Sequence, residues 1–213
     1  MYSLLLQIFL KGCLAQALEQ PITQWSILAY GGQWSANSIG AILRGRTEMQ
    51  SSYVGVVGAS QSLYQMPDRL RLELEANVGT HFGLQHHSEL NSALLFRWKR
   101  FPWMDHLNTS VAFGLGPSLA LQAPRIEERP DHPASPLLVF MPVELTLGRP
   151  PTHGSSWELL LRVHHRSGAY GVVSPARGSN FISLGLRYSL FSPEPRMSDL
   201  TSPATKASMP HYE

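Results

Sequence analysis

Apolar and polar residues alternate along most of the chain. Over residues 69–78, Leu70, Leu72, Leu74, Ala76 and Val78 fall on one face, and Arg71, Glu73, Glu75 and Asn77 on the other. Successive side chains of a strand point to opposite sides, so this repeat predicts a strand with one apolar and one polar face. The pattern recurs downstream. Leu90, Leu94, Phe96 and Trp98 oppose Glu89, Asn91, Arg97 and Lys99, and Val111, Phe113 and Leu115 oppose Ser110, Ala112 and Gly114. Further along, Val143, Leu145 and Leu147 oppose Glu144 and Thr146. Trp157, Leu159, Leu161 and Val163 oppose Glu158, Arg162, His164 and Arg166, and Ile182, Leu184 and Leu186 oppose Ser183, Gly185 and Arg187. Residues 24–34 and 51–60 alternate poorly and are placed as strands by turn spacing.

Eight strands follow, an even number that can close as an antiparallel up-and-down barrel. Closure alone does not choose the solvent. A soluble lipid carrier would turn the apolar face inward, whereas an outer-membrane barrel turns it toward lipid. The polar face carries both signs of charge, including Arg71, Glu73, Glu75, Arg97, Glu144, Glu158, Arg162 and Arg187, which could pair across a narrow interior. The strands also approach the ~9–11 residues that a tilted membrane strand needs. The expectation is therefore an all-β, eight-stranded transmembrane barrel, plugged by its own side chains. Trp98, Trp103, Trp157 and Tyr188 lie near strand ends, as an interfacial girdle would. With the first strand running outward, external loops fall at about 35–50, 82–88, 119–135 and 168–179, and short turns at 61–68, 100–107 and 148–155.

Composition fits this picture. Charged residues are only 15%, and 17 glycines and 16 prolines are spread along the chain. A net charge of +2 gives no argument for nucleic acid, and the single cysteine, Cys13, excludes an internal disulfide framework. The apolar run from Tyr2 to Leu10 is too short for a membrane helix and resembles a secretory signal, with Ala15-Gln16-Ala17 as a small-x-small cleavage pattern. Residues 1–17 are expected to be a signal peptide and 18–191 the barrel. Residues 192–213 lack apolar periodicity and are expected to be disordered.

The stretch Leu161–Tyr170, "LRVHHRSGAY", carries the candidate chemistry. His164 shares the polar face and belongs to the interior network. His165 and Ser167 share the apolar face, where unpaired polar groups are costly. Asn180, at the start of the paired last strand, lies on that same face and could stand beside His165. Ser167, His165 and Asn180 then offer nucleophile, base and orienting group.

His165-x-Ser167 near the end of the penultimate strand, the short loop, and the last strand "LGLRYSLF" resemble the PagL-type lipid A 3-O-deacylase (acyloxyacyl-hydrolase-like) family of outer-membrane barrels. The motif match covers roughly 160–191. The resemblance implies hydrolysis of an ester-linked acyl chain of lipid A at the Gram-negative outer membrane, by an outward-facing Ser and His with a Glu as third member. It implies lipopolysaccharide and membrane lipid as partners, and no metal or organic cofactor. Two departures stand out. No Asp or Glu lies between Ser167 and Phe191, which leaves Asn180 for the third place. Gly168 stands where the family has an Asn that helps form the oxyanion hole, so the backbone amides of Gly168 and Ala169 are the expected donors. The rival reading is a non-catalytic structural barrel. His81, His86 and His87 offer a metal reading, but histidines placed in an external loop are more often simply solvated. Nothing in the sequence selects between a monomer and a homodimer.

Overall fold

The computed structural model describes residues 24–65, 70–128, 132–150 and 156–190. The expected signal peptide and C-terminal tail lie outside the described residues. The strands are β1 (Trp25–Ser35), β2 (Met49–Gln65), β3 (Leu70–Gly83), β4 (His87–Trp98), β5 (Asn108–Ala120), β6 (Leu137–Phe140), β7 (Val143–Gly148), β8 (Trp157–Ser167) and β9 (Ser179–Leu190). One short helix, α1 (Ile39–Ile42), follows β1.

β6 and β7 are halves of one strand. Both pair with β5 on one side and β8 on the other, and the register is the same in both halves (Val139 opposite Ser167, Val143 opposite Val163). The interruption falls at Pro142, which has no N–H to give the ladder. Eight antiparallel strands result, and β1 closes the sheet against β9. β2 is longer than the sequence pattern predicts. The added length is residues 49–50 and 61–65, the latter expected as a turn; within the strand a Cβ at Gly58 would lie 2.8 Å from the Ala76 carbonyl oxygen, so this glycine marks close backbone approach.

The polar face turns inward. Glu73, Glu75, Arg97, Glu144, Arg162 and Arg187 are all buried. Leu74, Val78, Leu90, Phe96, Leu115 and Leu184 are exposed on the outside. This distribution excludes the lipid-carrier arrangement, which needs an apolar lumen. The interior charges neutralise one another. Arg97 grips Glu73 at 3.0 and 3.2 Å and reaches Glu144 at 2.7 Å. Arg162 grips Glu75 at 2.6 and 2.7 Å and also bonds Glu144. Arg187 closes the cluster on Glu73 at 3.0 Å. These side chains fill the interior at its middle.

Exposed Trp25, Trp98 and Trp157 mark one rim, where Trp157 packs on Tyr188 with ring centroids 4.7 Å apart. At the other rim Tyr53 stacks on Phe82 at 5.5 Å. The connections 36–48, 84–86 and 168–178 gather at this second rim with the described parts of the third connection, 121–128 and 132–136, as the strand count predicts.

Candidate active site

Strand parity settles the two histidines. His164 points inside, where Tyr30 Oη lies 2.8 Å from its Nδ1 and Glu89 Oε1 lies 2.7 Å from its Nε2. His165 points to the outer face. It stands directly opposite Asn180 of β9, and Asn180 stands opposite Ser35 of β1. The three make one rung at the loop-bearing end of the barrel. Ser167 follows at the end of β8, opposite Val139.

The first loop folds over this rung. Asn180 Nδ2 donates to the Asn37 carbonyl at 2.9 Å, so His165 and Asn180 are buried although they belong to the apolar outer face. His165, Ser167, Gly168 and Asn180 line one cavity of about 610 Å³, together with Asn37 and Arg177. Polar side chains thus interrupt the lipid-facing surface only here, among the described residues of β8.

His165 Nδ1 lies 3.2 Å from the Ser179 carbonyl oxygen. A carbonyl can only accept, so Nδ1 carries the hydrogen and Nε2 is left with the lone pair. That is the tautomer of a general base. Asn180 Oδ1 is buried with no hydrogen-bond partner, and is free to accept from a charged imidazole. No hydrogen bond joins His165 to Ser167 among the described residues. Ser167 Oγ instead accepts from the Ala169 N–H at 3.1 Å.

The turn after Ser167 is strained. Ala169 and Tyr170 have φ of 51° and 55°, in the left-handed region that ordinary residues avoid. The Gly168 carbonyl collects the N–H groups of Gly171, Val173 and Ser174, which holds the turn in that shape. The expected oxyanion donors, Gly168 and Ala169, therefore sit at the head of a fixed turn, with the Ala169 amide already against the serine oxygen.

Sequence reasoning missed Glu127. It lies in the 121–136 loop, far from the motif, but is buried beneath the site. Its carboxylate binds Arg166 Nη1 at 2.9 and 3.0 Å and accepts from Ser179 Oγ at 2.6 Å. Ser179 is the residue whose carbonyl holds His165. Glu127 stands in a non-periodic loop among Arg125, Glu128, Arg129 and Asp131, so nothing in the sequence marks it out from its charged neighbours.

No protein-family model matches this sequence, and no curated protein matches it. Among solved structures the chain is similar to the crystal structure of the outer membrane enzyme PagL, with a TM-score of 0.53 and 17% identity, covering 76% of this chain and 98% of that one. It also matches the N-terminal β-barrel domain of Pseudomonas aeruginosa OprF, with a TM-score of 0.44 and 14% identity, covering 80% of this chain and 100% of that domain. At this identity the first likeness shows the fold alone: a closed, eight-stranded antiparallel barrel of the outer-membrane kind.

Proposed function

We propose that the protein is an outer-membrane esterase that hydrolyses an ester-linked acyl chain of lipid A. The observation that carries this reading is the His165 tautomer. Its Nδ1–H is held by the Ser179 carbonyl, and its Nε2 lone pair belongs to a residue that shares a cavity with Ser167 and Asn180 on the lipid-facing side. An acyl chain of the outer leaflet reaches such a site without leaving the membrane.

In this mechanism His165 Nε2 takes the hydroxyl proton as Ser167 Oγ attacks the ester carbonyl carbon. The Gly168 N–H and the Ala169 N–H, released from Ser167 Oγ as it attacks, donate to the oxyanion. Asn180 Oδ1 and the Ser179 carbonyl hold the imidazolium. The tetrahedral intermediate expels the sugar oxygen, which receives the proton from His165. Water then attacks the acyl-serine, passes a proton to His165, and releases the fatty acid as Ser167 recovers its hydrogen.

Lipid A from Gram-negative cells expressing the chain, compared by mass spectrometry with cells expressing Ser167→Ala, tests the proposal. The wild-type protein should remove one acyl chain and the variant none, with both barrels folded. Unaltered lipid A with a folded wild-type barrel would leave the structural-barrel reading. The Ala169 N–H bond to Ser167 Oγ is the observation that favours that second reading.

A further inference from the structure

On the inner face, at the same rim, β3 and β4 bring three ligand-type side chains together. His81 stands directly opposite His87 across the β3–β4 ladder. Glu89 follows His87 by two residues and so shares its face. All three are more than nine-tenths buried, and their ligand atoms lie within 4.8 Å of one another. Two histidines and one carboxylate presented from neighbouring strands are a donor set for a first-row transition metal, with coordination positions left open.

The hydrogen bonding points the same way. His81 Nε2 and Glu89 Oε2 approach to 3.2 Å, yet neither makes a hydrogen bond of acceptable alignment. Both ring nitrogens of His87 are buried without a partner. Buried polar atoms are normally satisfied, so orphaned atoms on three ligand-type side chains gathered within 4.8 Å call for an occupant. We infer that His81, His87 and Glu89 bind one divalent transition-metal ion at the outer end of the barrel interior.

The surroundings suit the ion. Glu89 Oε1 accepts from Asn91 Nδ2 at 2.9 Å and lies 2.7 Å from His164 Nε2, whose ring is held at Nδ1 by Tyr30 Oη. Gln85 Nε2 lies 3.4 Å from His81 Nδ1, and the Gln85 Oε1 has no partner. The two ends of an amide are interchangeable, so the oxygen can accept from Nδ1–H and leave the Nε2 lone pair for the metal. Among the described residues Arg166 is the arginine or lysine that approaches Glu89, at 3.5 Å, and it is also paired with both Glu127 oxygens. The Glu89 charge is thus available to the ion. The His81 and His87 rings stack at 4.1 Å and 7°, so binding requires one ring to turn about its side-chain bonds. The inference is independent of the esterase reading.

The test uses the full chain folded in detergent, stripped with a chelator and dialysed against Zn2+ or Co2+. Metal content should reach one ion per chain, and bound Co2+ should show visible ligand-field absorption. His87→Ala, which removes a side chain without hydrogen-bond partners, should leave the barrel folded by heat-modifiable gel mobility. It should weaken binding by more than the roughly 10–100-fold lost with a supporting hydrogen bond. Glu89→Gln should do the same, and His86→Ala should bind as the wild type does. No retained metal in the wild-type protein overturns the inference, because buried water then fills the site. Undiminished binding in His87→Ala overturns it as well, because the ion then sits elsewhere.

Discussion

A Cβ at position 168 would lie 2.0 Å from the Ser174 carbonyl oxygen, so backbone contact alone requires glycine there. This accounts for the absence of the Asn that the motif resemblance leads one to expect after Ser167: the turn is too tight to hold one. The tight turn, closed by the Gly168 carbonyl, holds the Ala169 amide against the serine oxygen. Gly168→Ala must open the turn by about an ångström, and misplacement on that scale costs about 100-fold in rate. A deacylation assay of this variant in folded barrels checks the expectation, and full activity would remove the turn from the mechanism. At this scale the sequence was informative where parity applied. His165, Ser167 and Asn180 could be placed on one face by counting, and the register sets His165 and Asn180 opposite each other. The Ser179 carbonyl that holds His165 could not be found this way, because every residue has one.

The 121–136 loop shows what an element outside the pattern can contribute. Its Glu127 is tied to Arg166 and Ser179, and the Glu127 carbonyl accepts from the Arg177 N–H at 2.9 Å. Burial pushes the Glu127 carboxyl up to about 7, against the lowering pull of Arg166 and Ser179. In an undocked loop the same group titrates near its ordinary 4.5. Between these values the docked loop holds a proton that the undocked loop has lost. Docking is therefore strongest below the lower value, weakens as pH rises through the window, and is level above the upper one. Hydrogen exchange at the amides of residues 125–128 should show protection falling as pH rises from about 4.5 to about 7, once corrected for intrinsic rates. Protection that is constant or rises across that window would contradict this. Among the strands, alternation predicted the long, charged ones closely. In β2, Gly55, Gly58 and Ala59 carry too little side chain to register as apolar or polar, so the strand was placed by turn spacing and stopped short of residues 61–65.

For the whole molecule, the distribution of residues is inverted relative to a protein in water. Charges fill the interior and Leu, Val and Phe cover the outside. The ion pairs share the interior with small buried apolar clusters, Leu28, Val54, Val56, Leu160 and Phe181 in one and Leu95 and Phe140 in another, and the pairs are interdependent. Glu73→Ala leaves Arg97 with Glu144 alone and Arg187 with only the longer approaches to Glu158 at 3.7 Å and Glu144 at 3.9 Å, and should cost about 3–5 kcal/mol as breaking a buried pair does. Urea unfolding in detergent or lipid measures it; a cost below about 1 kcal/mol would mean that water reaches the cluster. The outside makes the opposite demand. Leu94, exposed near the middle of β4, should meet hydrocarbon, so Leu94→Arg should cost ~2–4 kcal/mol on folding into bilayers. An unchanged folding free energy would argue against a lipid-facing surface.

The sequence by itself determined most of the barrel's strands, their two faces and the directions of His164 and His165, because strand geometry ties residue parity to side; His81 and His87, expected in a solvated loop, lie buried on β3 and β4 instead. The sequence also put both signs of charge on the inward face, from which cancellation in a narrow interior follows. Only the tertiary structure decided what covers those faces and what meets at the rim. Closing the sheet brings Asn37 over the His165 rung, Glu127 under Ser179, and His81 against His87. The first two contacts join residues far apart in the chain, and the third depends on the β3–β4 register. Neither loop path nor register leaves a periodic trace in the sequence, so both had to wait for the fold.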